Sequence, residues 1–193
     1  MRKKKRAFTL IELIITLALT SLILGVIYTF FITNTKSLSK IEINSELQNE
    51  SQIIQNQLLE YGAQAKGIYS LNGNEVKSNN MLYKDVLDST GKVEVNEIVF
   101  EVAEDKYYFK VDESNKTLYL TKNNEASKVL STNVIEFKIR PLDYRMKFDE
   151  SSHENKGNLY EANGIEISFI LNMKKGYSNV TIPASIIVKF RNK

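Results

Sequence analysis

Cysteine is absent from this chain of 193 residues, which rules out disulfide staples, thiolate metal sites and a cysteine nucleophile. A domain without disulfides is held by its apolar core, and a chain of this length can build one. Histidine occurs once, as His153, between Ser152 and Glu154 in a polar stretch. A single His with no second ligand at metal spacing reads as a solvated surface residue. Proline occurs twice, first at Pro141, so nothing ahead of that point interrupts a helix by removing a backbone donor. The eight glycines form no phosphate-cradling loop and no nucleophile elbow. The acidic pairs Glu104-Asp105 and Asp149-Glu150 read as turn residues, and the stretch from Asp143 to Glu150 lacks the calcium-loop pattern. These absences point away from an enzyme: no catalytic residue, cofactor-binding residue or metal ligand is assigned.

Net positive charge is also scarcer than the total suggests. The chain carries 26 Lys and Arg against 23 Asp and Glu, but Arg2, Lys3, Lys4, Lys5 and Arg6 form one N-terminal cluster. Without it the remainder is slightly acidic. A phosphate-tracking surface needs clustered cations, so direct nucleic-acid binding is not expected.

From Leu13 to Thr35 no residue is charged, and the run is rich in Leu, Ile, Ala, Phe and Val. It is long enough to cross the ~30 Å hydrocarbon core as a helix. The basic cluster before it predicts a cytoplasmic N-terminus, with the C-terminal part outside. A cleaved secretory signal would have a shorter apolar stretch followed by a small-x-small cleavage site. A plain membrane anchor fits the length but leaves Glu12 unexplained. A carboxylate at the edge of such a run costs several kcal/mol by insertion scales, so it is normally paired or functional.

The residues Lys5-Arg6-Ala7-Phe8-Thr9-Leu10-Ile11-Glu12-Leu13 resemble the processing motif of type IV prepilins. In that family a basic leader ends in a small residue, usually Gly, followed by Phe-Thr-Leu-Ile-Glu-Leu; here Ala7 stands in the Gly position. The resemblance implies cleavage between Ala7 and Phe8 by prepilin peptidase, then N-methylation of Phe8. It also implies that Glu12 of an incoming subunit meets the new amine of Phe8 on a neighbour and so sets filament register. Any other register leaves a buried charge unpaired.

The helical pattern continues past the apolar run. Leu47, Ser51, Ile54, Leu58, Tyr61 and Ala65 alternate at spacings of four and three, one face of a helix, and Lys66-Gly67 reads as its stop. Continuous from Phe8, this helix would be roughly 85–90 Å long. Beyond Gly67 the period becomes two. Ile98, Phe100 and Val102 are followed by Tyr107, Phe109 and Val111 across a turn at Glu104-Asp105, then by Leu118 and Leu120. Ile135, Phe137 and Ile139 follow. Ile165, Ile167, Phe169 and Leu171 lead to Ile182, Ala184, Ile186, Val188 and Phe190. Such segments read as half-buried antiparallel strands. A short strand or helix is expected around Met81 to Leu87, and a long polar loop from Pro141 to Asn163. Tyr108 and Tyr119 are expected on the outer face, as a cross-strand aromatic pair or in a subunit interface.

The expected fold is therefore α+β and pilin-like, a long N-terminal helix packed on a C-terminal antiparallel β-sheet. Its parts are a leader (1–7), a transmembrane helix (8–35), the amphipathic continuation of that helix (36–67) and an extracytoplasmic β domain (68–193). The run Val129 to Phe137 and the final strand ending in Phe190-Arg191-Asn192 resemble minor pilins and pseudopilins of the PilW/GspJ/ComGF type. A membrane segment without Pro also points to a minor subunit. The resemblance implies partners: prepilin peptidase, other pilin or pseudopilin subunits through the N-terminal helix, the membrane and an inner-membrane assembly platform. The implied setting is pilus biogenesis, secretion or DNA uptake. The competing expectation is a membrane-anchored extracytoplasmic binding module that keeps its leader and does not polymerise.

Overall fold

A computed structural model of the chain describes residues 8–123, 125–149 and 154–191. Helix α1 runs from Leu10 to Gln64, 55 residues, about 83 Å at 1.5 Å per residue. It starts two residues later than expected because Thr9 is its N-cap, with an extended backbone at φ −82° and ψ 151°. It ends as Ala65 turns extended and donates its N–H to the carbonyls of Tyr61 and Gly62.

The two halves of α1 meet different surroundings. Its apolar N-terminal part is long and apolar enough to cross a membrane, and none of that stretch is buried within the molecule. Its serine and threonine hydroxyls are satisfied inside the helix: Thr16 donates to the carbonyls of Glu12 and Leu13, Thr20 to Thr16, Ser21 to Leu17 and Thr29 to Gly25. Back-bonding of this kind lets a hydroxyl sit in hydrocarbon without an orphaned donor. The second half buries Ile43, Leu47, Ser51, Ile54, Leu58 and Gly62, the stripe the spacing predicts with Ile43 and Gly62 added. Tyr61 stays at the margin, its ring stacked on Tyr107 with centroids 3.9 Å apart.

After α1 come β1 (Ile68–Leu71), β2 (Asn74–Glu75), the single turn α2 (Tyr83–Val86) and β3 (Val93–Glu94). Strands β4 (Glu97–Val102), β5 (Asp105–Asp112), β6 (Thr117–Lys122) and β7 (Lys128–Ser131) follow. Then come β8 (Val134–Pro141), β9 (Phe148–Asp149), β10 (Glu154–Asn155), a 3-10 turn at Leu159–Glu161, β11 (Gly164–Lys175) and β12 (Ser178–Lys189). The domain is α+β and pilin-like, but its strands form separate antiparallel sheets rather than one. A six-stranded sheet has the order β2-β1-β4-β5-β6-β7, a four-stranded sheet the order β12-β11-β8-β3, and β9 pairs only β10. The chain steps between the two larger sheets at Val95 and Asn96, where Val95 N–H donates to Phe137 and Asn96 C=O accepts from Val111. Helix α1 packs chiefly on β12 and also touches β11, β4 and β7.

Three local expectations shift. The hairpin between β4 and β5 turns at Ala103-Glu104, because Val102 pairs with Asp105; Asp105 opens β5 and ion-pairs Lys122 at 2.8 Å. Ile135 is 45% exposed, since a bulge pairs Leu171 with Val134 and Ile170 with Glu136. Val134 therefore takes the inward place. Tyr108 stands opposite Thr121 and Tyr119 opposite Lys110, so the two tyrosines are diagonal neighbours and not a direct pair.

Two polar contacts tie the parts together. The Glu50 carboxylate accepts from Ser131 Oγ at 2.5 Å and from Asn133 Nδ2 at 3.0 and 3.1 Å, bonding the helix to the link between β7 and β8. The loop from Pro141 to Asn163 is anchored where Tyr83 donates its hydroxyl to Asp143 at 2.6 Å. Burial first, and then that carboxylate, push the Tyr83 phenol well above its ordinary range, so it remains a donor. His153 and Glu150 lie outside the described residues.

Gly62 lets α1 approach β12 closely, for a Cβ there would lie 2.6 Å from Val188 Cγ1. Val188 is fully buried and β-branched, so it has little room to move. Gly62→Ala should lower unfolding stability by about 1–2 kcal/mol, overpacking outweighing the gain in helix propensity. In a double-mutant cycle, adding Val188→Ala should recover part of that loss. Glu50→Ala should cost about 2 kcal/mol by orphaning the Ser131 and Asn133 donors. Chemical denaturation of the full chain in detergent, followed by tyrosine fluorescence, checks both.

Candidate functional site

The head of α1 is built from five residues, Phe8 to Glu12. Leu10 and Ile11 make the first turn and, with Phe8 (80% exposed), are largely exposed. Thr9 and Glu12 form a reciprocal capping box. Thr9 Oγ1 accepts from Glu12 N–H at 3.3 Å. The Glu12 carboxylate in turn accepts from Thr9 N–H at 2.9 Å and from the Thr9 hydroxyl at 2.8 Å. Both of these bonds fall on Oε2. The arrangement satisfies orphan helix donors and places an anion at the positive end of the helix dipole.

Phe8 precedes the cap and lies outside the helix, exposed. Ala7 itself, like the cluster from Arg2 to Arg6, lies outside the described residues. Phe8 and Glu12 are thus placed on either side of the cap residue. Thr9 was not singled out from the sequence, although Thr-x-x-Glu ahead of an apolar run is a readable capping signal.

The second half of the helix supplies the site's rigidity. With Ile43, Leu47, Ile54 and Leu58 all fully buried, a helical rod leads from the folded domain to Thr9 without a proline break. Among the described residues no group of three or more His, Cys, Asp or Glu side chains comes together to hold a metal ion. Among the described residues the head of α1 offers one carboxylate, that of Glu12.

Comparison with known proteins locates the same segment. Residues 2–28 match the family described as the prokaryotic N-terminal methylation motif. No curated protein and no solved structure matches the chain. The match covers the basic cluster, Phe8, the capping box and much of the uncovered apolar helix. This chain carries a prokaryotic N-terminal methylation motif, of the type IV pilin-like kind, at the head of a pilin-like α+β fold.

Proposed function

We propose that the chain is a structural subunit, a minor pilin or pseudopilin, of a type IV pilus-like filament serving pilus biogenesis, secretion or DNA uptake. Before assembly it is a single-pass protein of the cytoplasmic membrane, N-terminus inside and β domain outside. Prepilin peptidase cuts between Ala7 and Phe8, and Phe8 is then N-methylated. An inner-membrane assembly platform moves the subunit into a filament, where it packs on other pilin or pseudopilin subunits through α1.

The observation that carries this reading is one helix of two kinds. Half is sunk under the sheets, and half is apolar, uncovered and headed by the Thr9–Glu12 cap. A filament core or a membrane satisfies the bare half; water does not. The cap also explains how Glu12 is tolerated there, because two donors already serve Oε2. Oε1 is not used by the cap and is open to an ammonium. Cleavage creates that ammonium at Phe8. Pairing between Glu12 of one subunit and Phe8 of the next selects register, since a slipped subunit strands a charge in an apolar core. The uncut leader has no amine there and holds five cations against the cytoplasmic face, so processing licenses assembly.

In cells with the matching peptidase, the N-terminal peptide should begin at N-methylated Phe8 by mass spectrometry, with Met1 to Ala7 gone. A leader retained from Met1 would replace this reading by a membrane-anchored binding module. Glu12→Ala should still be cut, yet enter sheared filaments at least about tenfold less, the equivalent of ~1.4 kcal/mol. Unchanged incorporation would remove Glu12 from the register role.

A further inference from the structure

The β11–β12 hairpin is the longest in the molecule, paired from Gly164↔Lys189 through Lys175↔Ser178. It runs along α1 toward the N-terminus and turns at Gly176 and Tyr177. Gly176 has φ +58°, a conformation that favours glycine. The tip meets the helix where the uncharged run ends. Ser178 Oγ donates to the Lys36 carbonyl at 3.4 Å, and Lys36 Nζ lies 5.7 Å from the Tyr177 ring centroid. Lys175 ion-pairs Glu42 at 2.7 Å. A shallow groove between tip and helix reaches back to Thr33, and Ile32 is half-covered while Phe31 and Thr33 on either side are exposed.

These contacts fix the level of the tip along α1. The run from Leu13 to Thr35 is about 34 Å long as a helix and matches the hydrocarbon core. Its end at Lys36 therefore marks the outer boundary, and the tip sits in the headgroup layer. Tyr177 is 94% exposed, the largest side chain at the tip, with an apolar ring and a polar end of the kind that partitions to that layer. Around it stand Lys36, Lys40, Lys174 and Lys175, all exposed. The nearest acids are Glu42, already paired with Lys175, and Glu46 further along the helix.

We infer that the β11–β12 tip is a membrane foot: Tyr177 inserts among the headgroups of the outer leaflet, and Lys36, Lys40 and Lys174 contact anionic lipid phosphates. The foot holds the β domain against the bilayer and sets the angle at which the stored subunit presents its sheets. Lysines close to an anionic lipid surface are drawn to it. A second copy of this chain is the less suited occupant, because the same lysines would face each other across a symmetric contact. The inference rests on the membrane-spanning reading of α1.

The test uses the full chain in vesicles of mixed phosphatidylcholine and phosphatidylglycerol, and of phosphatidylcholine alone. The chain has no tryptophan, so each single substitution supplies a unique fluorophore. Tyr177→Trp reports the foot and Phe30→Trp the span. Tyr160→Trp reports the far end, because Tyr160 lies beside Gly67. Expected is loss of Y177W emission to a quencher carried near the lipid headgroup, weaker loss to one deep in the acyl chain, and protection from aqueous iodide. F30W should be quenched by the deep label and Y160W by neither. Removing the anionic lipid, or adding Lys40→Glu with Lys174→Glu, should reduce the shallow quenching of Y177W. If F30W is quenched while Y177W stays open to iodide, the foot is wrong and the span stands. If neither responds to lipid, the span fails and the foot with it. Shielding of Y177W that grows with protein density, without lipid quenching, assigns the tip to a second copy and overturns the foot.

Discussion

Everything in this molecule hangs on one helix having to satisfy two environments at once. Between its ends α1 bonds its backbone within itself, so the middle of the rod needs no partner for its main chain. Its side chains do need partners, and they divide at about Lys36. Beyond it, Ile43, Leu47, Ile54 and Leu58 are fully buried against the sheets. Before it, residues such as Leu13, Leu17, Leu24 and Phe31 are more than half exposed. The folded domain thus grips the rod by one half and leaves the other uncovered.

The grip combines close packing with a few polar contacts. Gly62 removes the side chain that would keep α1 away from Val188, and Glu50 bonds across to Ser131 and Asn133. Close to these, Tyr61 stacks on Tyr107 and Phe100 meets Phe109 edge-on at 5.9 Å. Such contacts hold the rod at a defined depth and rotation, which the loose hydrophobic effect alone does not do. Any play at the domain end would be amplified over the length of the bare half. The capping box at Thr9 and Glu12 gives the same definition to the opposite end.

Much of this was legible from local patterns. The uncharged run, the four-and-three spacing of the stripe and the alternation of Ile165, Ile167, Phe169 and Leu171 are all periodicities of single segments. The Phe8-to-Leu13 motif is contiguous, so its resemblance to prepilins needs no tertiary information. What failed to show was non-local or depended on one extra residue. Ile135 was expected inside, but the bulge at that point hands the inward place to Val134. The placing of β3 in the second sheet depends on its pairing with β8, and strand pairing across more than forty residues leaves no trace in either segment's own pattern.

The amino-acid sequence by itself determined that the chain has a membrane-length helix, a processing-type motif at its head and a β-rich remainder, because each is encoded by neighbours along the chain. Only the tertiary structure decided that Glu50 is a bond rather than a solvated charge, that Gly62 is a contact point, and that the Tyr177 tip lies level with Lys36. Those facts join residues more than eighty positions apart. They exist only once the hairpin and the helix share one core.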